Sequence, residues 1–305
     1  MPAEWDRFKF EIGGDNSAEL TIVRHIAHVP HARRIVEDGR IKAGLVYDES
    51  RLNASRISVA WVSANTWALG SIYGTVEFQF AWADLIAGQK IYWVEVMTGY
   101  RPHAYRLLLS KRDIQSNLIV PYDPAKDEGP LRLKDGKHYW NAAYTSEFMI
   151  EDDLSLDLCT GINFVMHHRD YCRPFGSECD DRKNQPRPQR TGGRLLSFVL
   201  GNGQHILDEQ LKSKEAWEPS TKLDTAYGGL EHSLSSQVQF TGPIIEDGGC
   251  QDVVRGSLAL YGGDQVEQAR NLLALISSKD NFTKALKEIV RVHFGDTTWE
   301  PKADF

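Results

Sequence analysis

The apolar and polar residues of this chain repeat with two different periods, and each period predicts one type of element. Residues 76–80 alternate apolar side chains with Glu77 and Gln79, which is the two-residue period of a strand with one buried face. Residues 29–38 repeat their apolar positions with helical spacing and are followed by Gly39, a typical helix stop. Further strands are predicted over residues 20–26, 57–62, 74–80, 90–97, 106–110, 147–150, 162–167 and 257–261, and helices over residues 264–276 and 281–293.

The order of these elements predicts the fold class. Strands dominate the first two hundred residues and helices are more evident late, without the regular strand–helix alternation of a doubly wound sheet. We therefore predict an α+β protein. Residues 167–194 contain seven basic residues, four acids, three prolines and three glycines, which indicates a loop or linker. We place a domain boundary beside it, with a main domain over residues 1–200 and a smaller mixed extension over residues 201–305.

The composition indicates a globular protein and argues against a membrane-spanning or secreted one. The chain has 305 residues, of which 41% are hydrophobic, enough to build a core. Its apolar runs are far shorter than the roughly 20 residues that cross a bilayer, so no membrane partner is expected. The first residues lack the layout of a secretory signal, and only four cysteines occur, so we expect a cytoplasmic location and reduced thiols.

Charge is divided unevenly along the chain. The net charge of -7 argues against a general polyanion binder, because Lys and Arg contacts to phosphates dominate nucleic-acid affinity. Residues 24–112, however, contain twelve Lys or Arg against seven acids, a net of +5. Residues 195–305 contain ten basic residues against sixteen acids, a net of -6. The two ends therefore differ in electrostatic character.

Common catalytic and metal motifs are missing from the sequence. It has no GxGxxG after a strand, no GxxxxGK[ST], no GxSxG and no HExxH. Cys172 and Cys179 lie near His167 and His168, and together they offer four potential zinc ligands. Six residues separate the two cysteines, which is not the CxxC spacing of a structural site, so no metal site is predicted.

One set of residues, in a defined order along the chain, suggests a catalytic function. Arg24-His25 ends the first strand, a helix follows to Gly39, Ser63 closes the next strand, and Tyr73 and Glu147 begin later ones. This set resembles the ADP-ribosyltransferase superfamily. The segments RHIAHVPHARRIVEDGRI and TSEFMIEDDLSLDLCTGINFVMHH are similar to the nucleic-acid-modifying, DarT-like branch, and the resemblance covers about residues 20–170. It implies a split β-sandwich with flanking helices.

The resemblance also implies a cofactor and residue roles. NAD would be the co-substrate, with Glu147 as the catalytic carboxylate. His25 would hold the adenosine ribose and Arg24 the pyrophosphate, although neighbours on a strand face opposite ways and His25 is favoured for the cleft. Ser63 would bind the nicotinamide carboxamide, and Tyr73 would stack on its ring. Arg51, with Arg56 as its alternative, would act on NAD or on the acceptor base.

The residue types suit this chemistry. Cleavage of the bond between ribose and nicotinamide passes through an oxocarbenium-like centre, which a nearby carboxylate stabilises. Glu147 fits this role, and its alternative is an ordinary exposed acid at a strand end. Glu95 competes with it, because an acid among apolar and aromatic neighbours is unfavourable unless it is paired or functional. Glu95 could instead pair with Arg101 or Arg106 in the core.

Two classes of function follow. The first is a toxin or defence enzyme that transfers ADP-ribose to DNA or RNA and is bound by an antitoxin or regulatory protein. Protein-directed transfer is its alternative, because the segment SANTWALGSIYG departs from the aromatic–arginine block of the DarT-like branch. The second class is a catalytically silent module that binds a nucleotide or a protein on the same scaffold.

Overall fold

The computed structural model describes most of the first half of the chain and parts of the second half. The described residues are 4–67, 71–165, 172, 179, 181, 238–246, 253–260, 262–277, 280, 284, 287 and 298. Among these residues, no helix is both long enough and apolar enough to cross a membrane.

The described residues form fifteen strands and four α-helices. The strands are β1 (Ser17–Glu19), β2 (Ile22–Ala27), β3 (Arg40–Ile41), β4 (Val59–Val62), β5 (Val76–Ala81), β6 (Lys90–Met97), β7 (Ala104–Ser110), β8 (Val120–Pro121), β9 (Leu131–Lys134), β10 (Lys137–Asn141), β11 (Thr145–Glu151), β12 (Leu154–Ser155), β13 (Cys159–Val165), β14 (Val238–Glu246) and β15 (Val253–Leu260). The helices are α1 (Val29–Asp38), α2 (Arg51–Ala54), α3 (Trp82–Ile86) and α4 (Gln265–Ile276). The chain is therefore α+β, as predicted.

The chain divides into two compact units, each built from separated segments. The first unit contains Met1–His25, Asp38–Thr66 and Gln79–Thr160, and the second contains Ile26–Glu37, Trp67–Phe78 and Gly161–Phe305. The boundary expected near residue 200 falls outside the described residues and stays a prediction. Within the second late helix, predicted over residues 281–293, only Lys284 and Lys287 are described, and both are helical.

A five-stranded sheet organises the first unit. Its strand order is β4-β11-β7-β6-β8, with β11 parallel to β7 and the other neighbours antiparallel. In β11, Phe148 and Met149 point to opposite faces, and both side chains are buried, so both faces of the sheet are covered. This explains the consecutive apolar residues Phe148-Met149-Ile150 in β11 and Leu107-Leu108-Leu109 in β7.

Each face of this sheet has its own core. On the face of Met149, the short helix α2 packs through Leu52 onto an apolar cluster. On the other face, the 3-10 helix Trp5–Phe8 packs by aromatic contacts, with the Trp5 and Trp93 rings 6.0 Å apart and the Phe8 and Tyr105 rings 5.4 Å apart. The apolar cluster comprises Leu52, Ile57, Val59, Tyr92, Val94, Leu108, Ile119 and Met149.

A hairpin missed by the sequence analysis lies in a three-stranded sheet of the first unit. The order of this sheet is β1-β10-β9, and β9 and β10 are joined by Asp135 and Gly136, with φ angles of 52° and 74°. Positive φ at both central residues is the geometry of a tight hairpin turn, for which Asp-Gly is a favoured pair. The sequence analysis proposed no element between residues 111 and 146, where β8, β9 and β10 lie.

A second five-stranded sheet has the order β14-β15-β13-β5-β2. Its β14–β15 register shifts between Thr241 and Ile244, around Pro243. Proline has no N–H to donate to a strand ladder, so an irregularity at this position is expected.

Gly74, in the second unit, permits a close approach of two backbone segments. Its φ is +135°, and a Cβ atom there would lie 2.2 Å from the carbonyl carbon of Ala27 and the nitrogen of His28. We expect Gly74→Ala to lower the free energy of unfolding by about 3 kcal/mol, because the new methyl group meets backbone and the φ is strained. Denaturant titration measures this. Gly263→Ala is the control, since that glycine has open space around it, and equal losses in the two variants would contradict the steric argument.

Candidate active site

The structure places five of the six predicted site residues in the first unit. Arg24 and His25 lie on β2, Arg51 begins α2, Ser63 follows β4, and Glu147 lies on β11. Tyr73 lies in the second unit, where its backbone N–H donates to Ser71 Oγ at 3.0 Å.

The end of β4 is held beside Arg24 of β2 by an isolated antiparallel bridge. The Arg24 N–H donates to the Ser63 carbonyl at 2.7 Å, and the Ser63 N–H donates to the Arg24 carbonyl at 2.8 Å. The Arg24 guanidinium also donates through Nη1 to the Ala64 carbonyl at 3.2 Å. Arg24 and Ser63, distant in sequence, are therefore direct neighbours.

Ser63 also connects this bridge to the start of β11. Its hydroxyl donates to Asn65 Oδ1 at 2.9 Å, and the Asn65 side chain accepts from the Ser146 N–H at 2.8 Å. The Ser146 hydroxyl accepts from the Ala64 N–H at 2.9 Å. Ser63 and Ser146 are completely buried, so this polar network fixes the residue directly before Glu147.

Trp61 contacts His25 and affects the charge state of Glu147. The His25 Nδ1 atom lies 2.7 Å from the Trp61 carbonyl oxygen, and the two rings meet edge to face at 5.9 Å. Because a carbonyl only accepts, Nδ1 carries the proton in this contact. The indole N–H of Trp61, as a hydrogen-bond donor, also lowers the pKa of Glu147, after the larger effects of burial and of Arg106.

The Glu147 carboxylate is buried and ion-paired. The residue is 3% exposed, and its Oε2 accepts from Arg106 Nε at 2.6 Å. Burial raises the pKa of Glu147, and the charge and hydrogen bond of Arg106 offset this only in part. The alternative of an exposed acid at a strand end is therefore wrong.

Arg106 also forms ion pairs with two further carboxylates. Its Nη1 donates to Glu95 Oε1 at 3.0 Å, and its Nη2 lies 3.3 Å from Asp48 Oδ2. The side chains of these four residues are between 3% and 14% exposed. The pairing of Glu95 with Arg106, which the sequence analysis offered as an alternative, is confirmed. We call Asp48, Glu95, Arg106 and Glu147 the Arg106 cluster.

Strand register explains this arrangement. Glu147 pairs with Arg106 across β11 and β7, and Glu95 pairs with Arg106 across β6 and β7, beside an irregularity between Trp93 and Glu95. Three carboxylates around one guanidinium carry a net charge of -2 when all are ionised. The cluster can therefore stabilise a positive charge that develops beside it.

Arg51 is part of the support around the Arg106 cluster. Its backbone N–H donates to Glu95 Oε2 at 3.1 Å, while its guanidinium donates to the Val94 carbonyl at 2.8 Å and to Glu4 at 2.7 Å. Ser50 Oγ donates to Glu95 Oε1 at 2.5 Å and caps α2. These contacts assign Arg51 a packing role in the structure, and the catalytic role implied by the resemblance stays a prediction.

Arg56 lines a separate open cleft of about 580 Å³ in the first unit. It is exposed and has a positive φ of 55°. The cleft carries both signs of charge, since Arg112 pairs there with Glu151. Burial alone would raise the pKa of Glu151, but the hydrogen bonds from Arg112 and Ser110 lower it overall. The remaining lining residues are Ala43, Ile57, Ser58, Asp152 and Asp153.

Metal-ligand side chains meet in the second unit, at a place that the sequence analysis did not predict. His28, Cys172 and Cys179 are all buried, and one potential ligand atom from each lies within 4.8 Å of the other two. His167 and His168, the imidazoles first considered with these cysteines, lie outside the described residues.

The Arg106 cluster and the Trp61 contacts were only partly visible in the sequence. The missed signal was Arg106 itself, a charged residue inside the apolar run AYRLLL. Comparison of the chain with protein-family models, with curated proteins and with solved structures finds no match.

Proposed function

We propose that this protein is an NAD-dependent ADP-ribosyltransferase that transfers ADP-ribose to a nucleic acid and releases nicotinamide. One observation supports this most. His25, which the resemblance assigns to NAD, contacts Trp61, whose indole lowers the pKa of Glu147, the residue that it assigns to catalysis, and Glu147 belongs to a cluster with excess negative charge. In this proposal the α+β chain is a variant of the split β-sandwich of that superfamily.

The reaction follows from the charge of the Arg106 cluster. The bond between ribose C1′ and the nicotinamide nitrogen breaks, and nicotinamide leaves as a neutral molecule with the bonding electrons. The cationic ribose is stabilised by the Glu147 carboxylate, which also accepts a hydrogen bond from the 2′-hydroxyl. A nucleophilic atom of the acceptor then bonds to C1′, and its proton is released to solvent.

Arg106 acts as a positioning residue in this mechanism. Burial favours the protonated form of Glu147, which would not stabilise a cation. The guanidinium opposes this effect and fixes the carboxylate through a 2.6 Å hydrogen bond. Arg106 thus keeps Glu147 charged and oriented.

In this proposal His25 binds NAD by accepting a hydrogen bond rather than by donating one. Since Nδ1 carries the proton toward the Trp61 carbonyl, Nε2 of a neutral ring is an acceptor. We propose that a ribose hydroxyl donates to His25 Nε2. Ser63 would bind the nicotinamide end, while the roles that the resemblance implies for Arg24 and Tyr73 stay predictions.

The choice of acceptor rests on charge. The net +5 of residues 24–112 suits a phosphate backbone, whereas the net -7 of the whole chain suits protein-directed transfer as the alternative. We favour a nucleic acid, as expected of a toxin or antiviral effector. An antitoxin or regulatory protein would then bind the acidic residues 195–305.

Transfer from labelled NAD tests the proposal. The purified full chain is incubated with NAD labelled in the adenosine part and, separately, with single-stranded DNA, RNA or cell protein. We expect label in a nucleic-acid pool together with equimolar release of nicotinamide. Label in the protein pool alone would favour the alternative acceptor. Neither label nor nicotinamide would favour the silent binding module, in which the Arg106 cluster is purely structural.

A further inference from the structure

We propose that His28, Cys172 and Cys179 bind a zinc ion that stabilises the second unit. The potential ligand atoms lie within 4.8 Å of one another, and Cys172 Sγ is 3.2 Å from His28 Nε2. In a tetrahedral zinc site, bond lengths of about 2.3 Å to sulfur and about 2.0 Å to nitrogen separate the ligand atoms by about 3.5–3.8 Å. The three side chains are therefore arranged closely enough to share one ion.

Burial and charge favour a metal in this cluster. His28 and Cys179 are 1% exposed, and Cys172 is fully buried. Two thiolates and a neutral imidazole balance the two positive charges of zinc, so the loaded site is electrically neutral. A neutral site avoids the large penalty of burying an isolated charge. Thiolate and imidazole are also ligands that zinc prefers.

The site is held by a supporting carboxylate. Asp181, 1% exposed, accepts through Oδ2 from the Val29 N–H at 2.9 Å and from the Thr75 hydroxyl at 2.8 Å. Val29 follows His28 in the chain, and Asp181 lies two residues after Cys179. The hydrogen bonds of Asp181 therefore tie two ligand-bearing segments together.

A backbone hydrogen bond to the neighbouring residue Ala27 also fixes the position of His28. The Thr75 N–H donates to the Ala27 carbonyl at 3.1 Å, and Gly74 allows this approach. Ligands held by surrounding hydrogen bonds and packing bind a metal with little reorganisation. A structural zinc would then link Cys172 and Cys179 to the residue that follows β2 within the second unit.

Metal analysis of the full chain tests the proposal independently of enzymatic activity. The protein is purified with reductant from zinc-supplemented cells, and its zinc content is measured by elemental mass spectrometry. We expect one zinc ion per chain in the unaltered protein and less than about a tenth of that in Cys172→Ser, Cys179→Ser and His28→Ala. Cys159→Ser is the matched control, since Cys159 is a buried cysteine of β13 outside the cluster, and it should retain the metal.

A second measurement uses the unaltered protein and so does not depend on the folding of any variant. Native alkylation followed by peptide mapping should show Cys172 and Cys179 protected until a chelator removes the zinc. Two results would overturn the proposal. One is a zinc-free protein, with its thiols reduced or joined in a Cys172–Cys179 disulfide, and the other is a bound zinc that the cysteine substitutions leave in place.

Discussion

Glu147→Gln is expected to lower the rate of the proposed nicotinamide release by about 10²–10³-fold, which is the loss typical when one preorganised electrostatic group is removed from an active site. Glutamine keeps the shape of the side chain, and its carbonyl can still accept from Trp61. It no longer carries the negative charge that stabilises the cationic ribose in the proposed reaction. Nicotinamide release from saturating NAD, measured by chromatography, gives the rate.

Two matched variants separate chemistry from folding in this experiment. Glu151→Gln makes the same change on the same strand, at a carboxylate that also pairs with an arginine, and it should leave the rate unchanged. Glu95→Gln removes another partner of Arg106 and tests the competing acid. If Glu95→Gln abolishes release while Glu147→Gln does not, Glu95 is the catalytic carboxylate. Equal small effects from both would assign the cluster to stability alone.

Arg106→Met is expected to lower the free energy of unfolding by about 3–5 kcal/mol at pH 7, the usual result of removing one partner from a buried ion pair. The substitution leaves Glu147, Glu95 and Asp48 without their shared cation. The side chains of Arg106 and Glu147 are only 3% and 4% exposed, so solvent cannot replace the lost contact. Guanidinium denaturation measures the change. The exposed Arg112, replaced by methionine, is the control and should shift the midpoint far less.

The pH dependence of this loss has a defined sign. The pKa of Glu147 is raised in the folded protein, so its contribution to stability is fully present below its ordinary pKa and is lost as pH rises through the folded value. Without Arg106 the folded pKa rises further, and the loss at pH 7 grows. The difference between variant and unaltered protein should therefore shrink as pH is lowered.

A double variant tests the same argument at constant pH. Arg106→Met with Glu147→Gln removes one uncompensated buried charge and should recover part of the stability that Arg106→Met loses. A single variant as stable as the unaltered protein at pH 7 would show that the cluster is hydrated. In that case Arg106 could not be the group that keeps Glu147 ionised.

Periodicity was a reliable guide where a segment is strongly patterned. The helix predicted over residues 29–38 matches α1, and the strand predicted over residues 90–97 matches β6. Both segments bury one or both faces, so their apolar residues are spaced by the geometry of the element. The β9–β10 hairpin was missed because its exposed residues, such as Lys134 and Lys137, do not follow a clear apolar alternation. Its Asp135-Gly136 turn was the signal that could have revealed it.

The pattern of residues along the chain was enough to predict the α+β class, the types of several elements and the residue types suited to chemistry at His25, Ser63 and Glu147. Which of these residues are neighbours depends on how the strands pair in the folded chain. Arg106 meets Glu147 because β7 and β11 pair in parallel at one register, 41 residues apart in sequence, and a slip by one residue would move either side chain to the opposite face. His28 meets Cys172 across 144 residues. Local periodicity carries no information on such registers, because they depend on how whole strands pack.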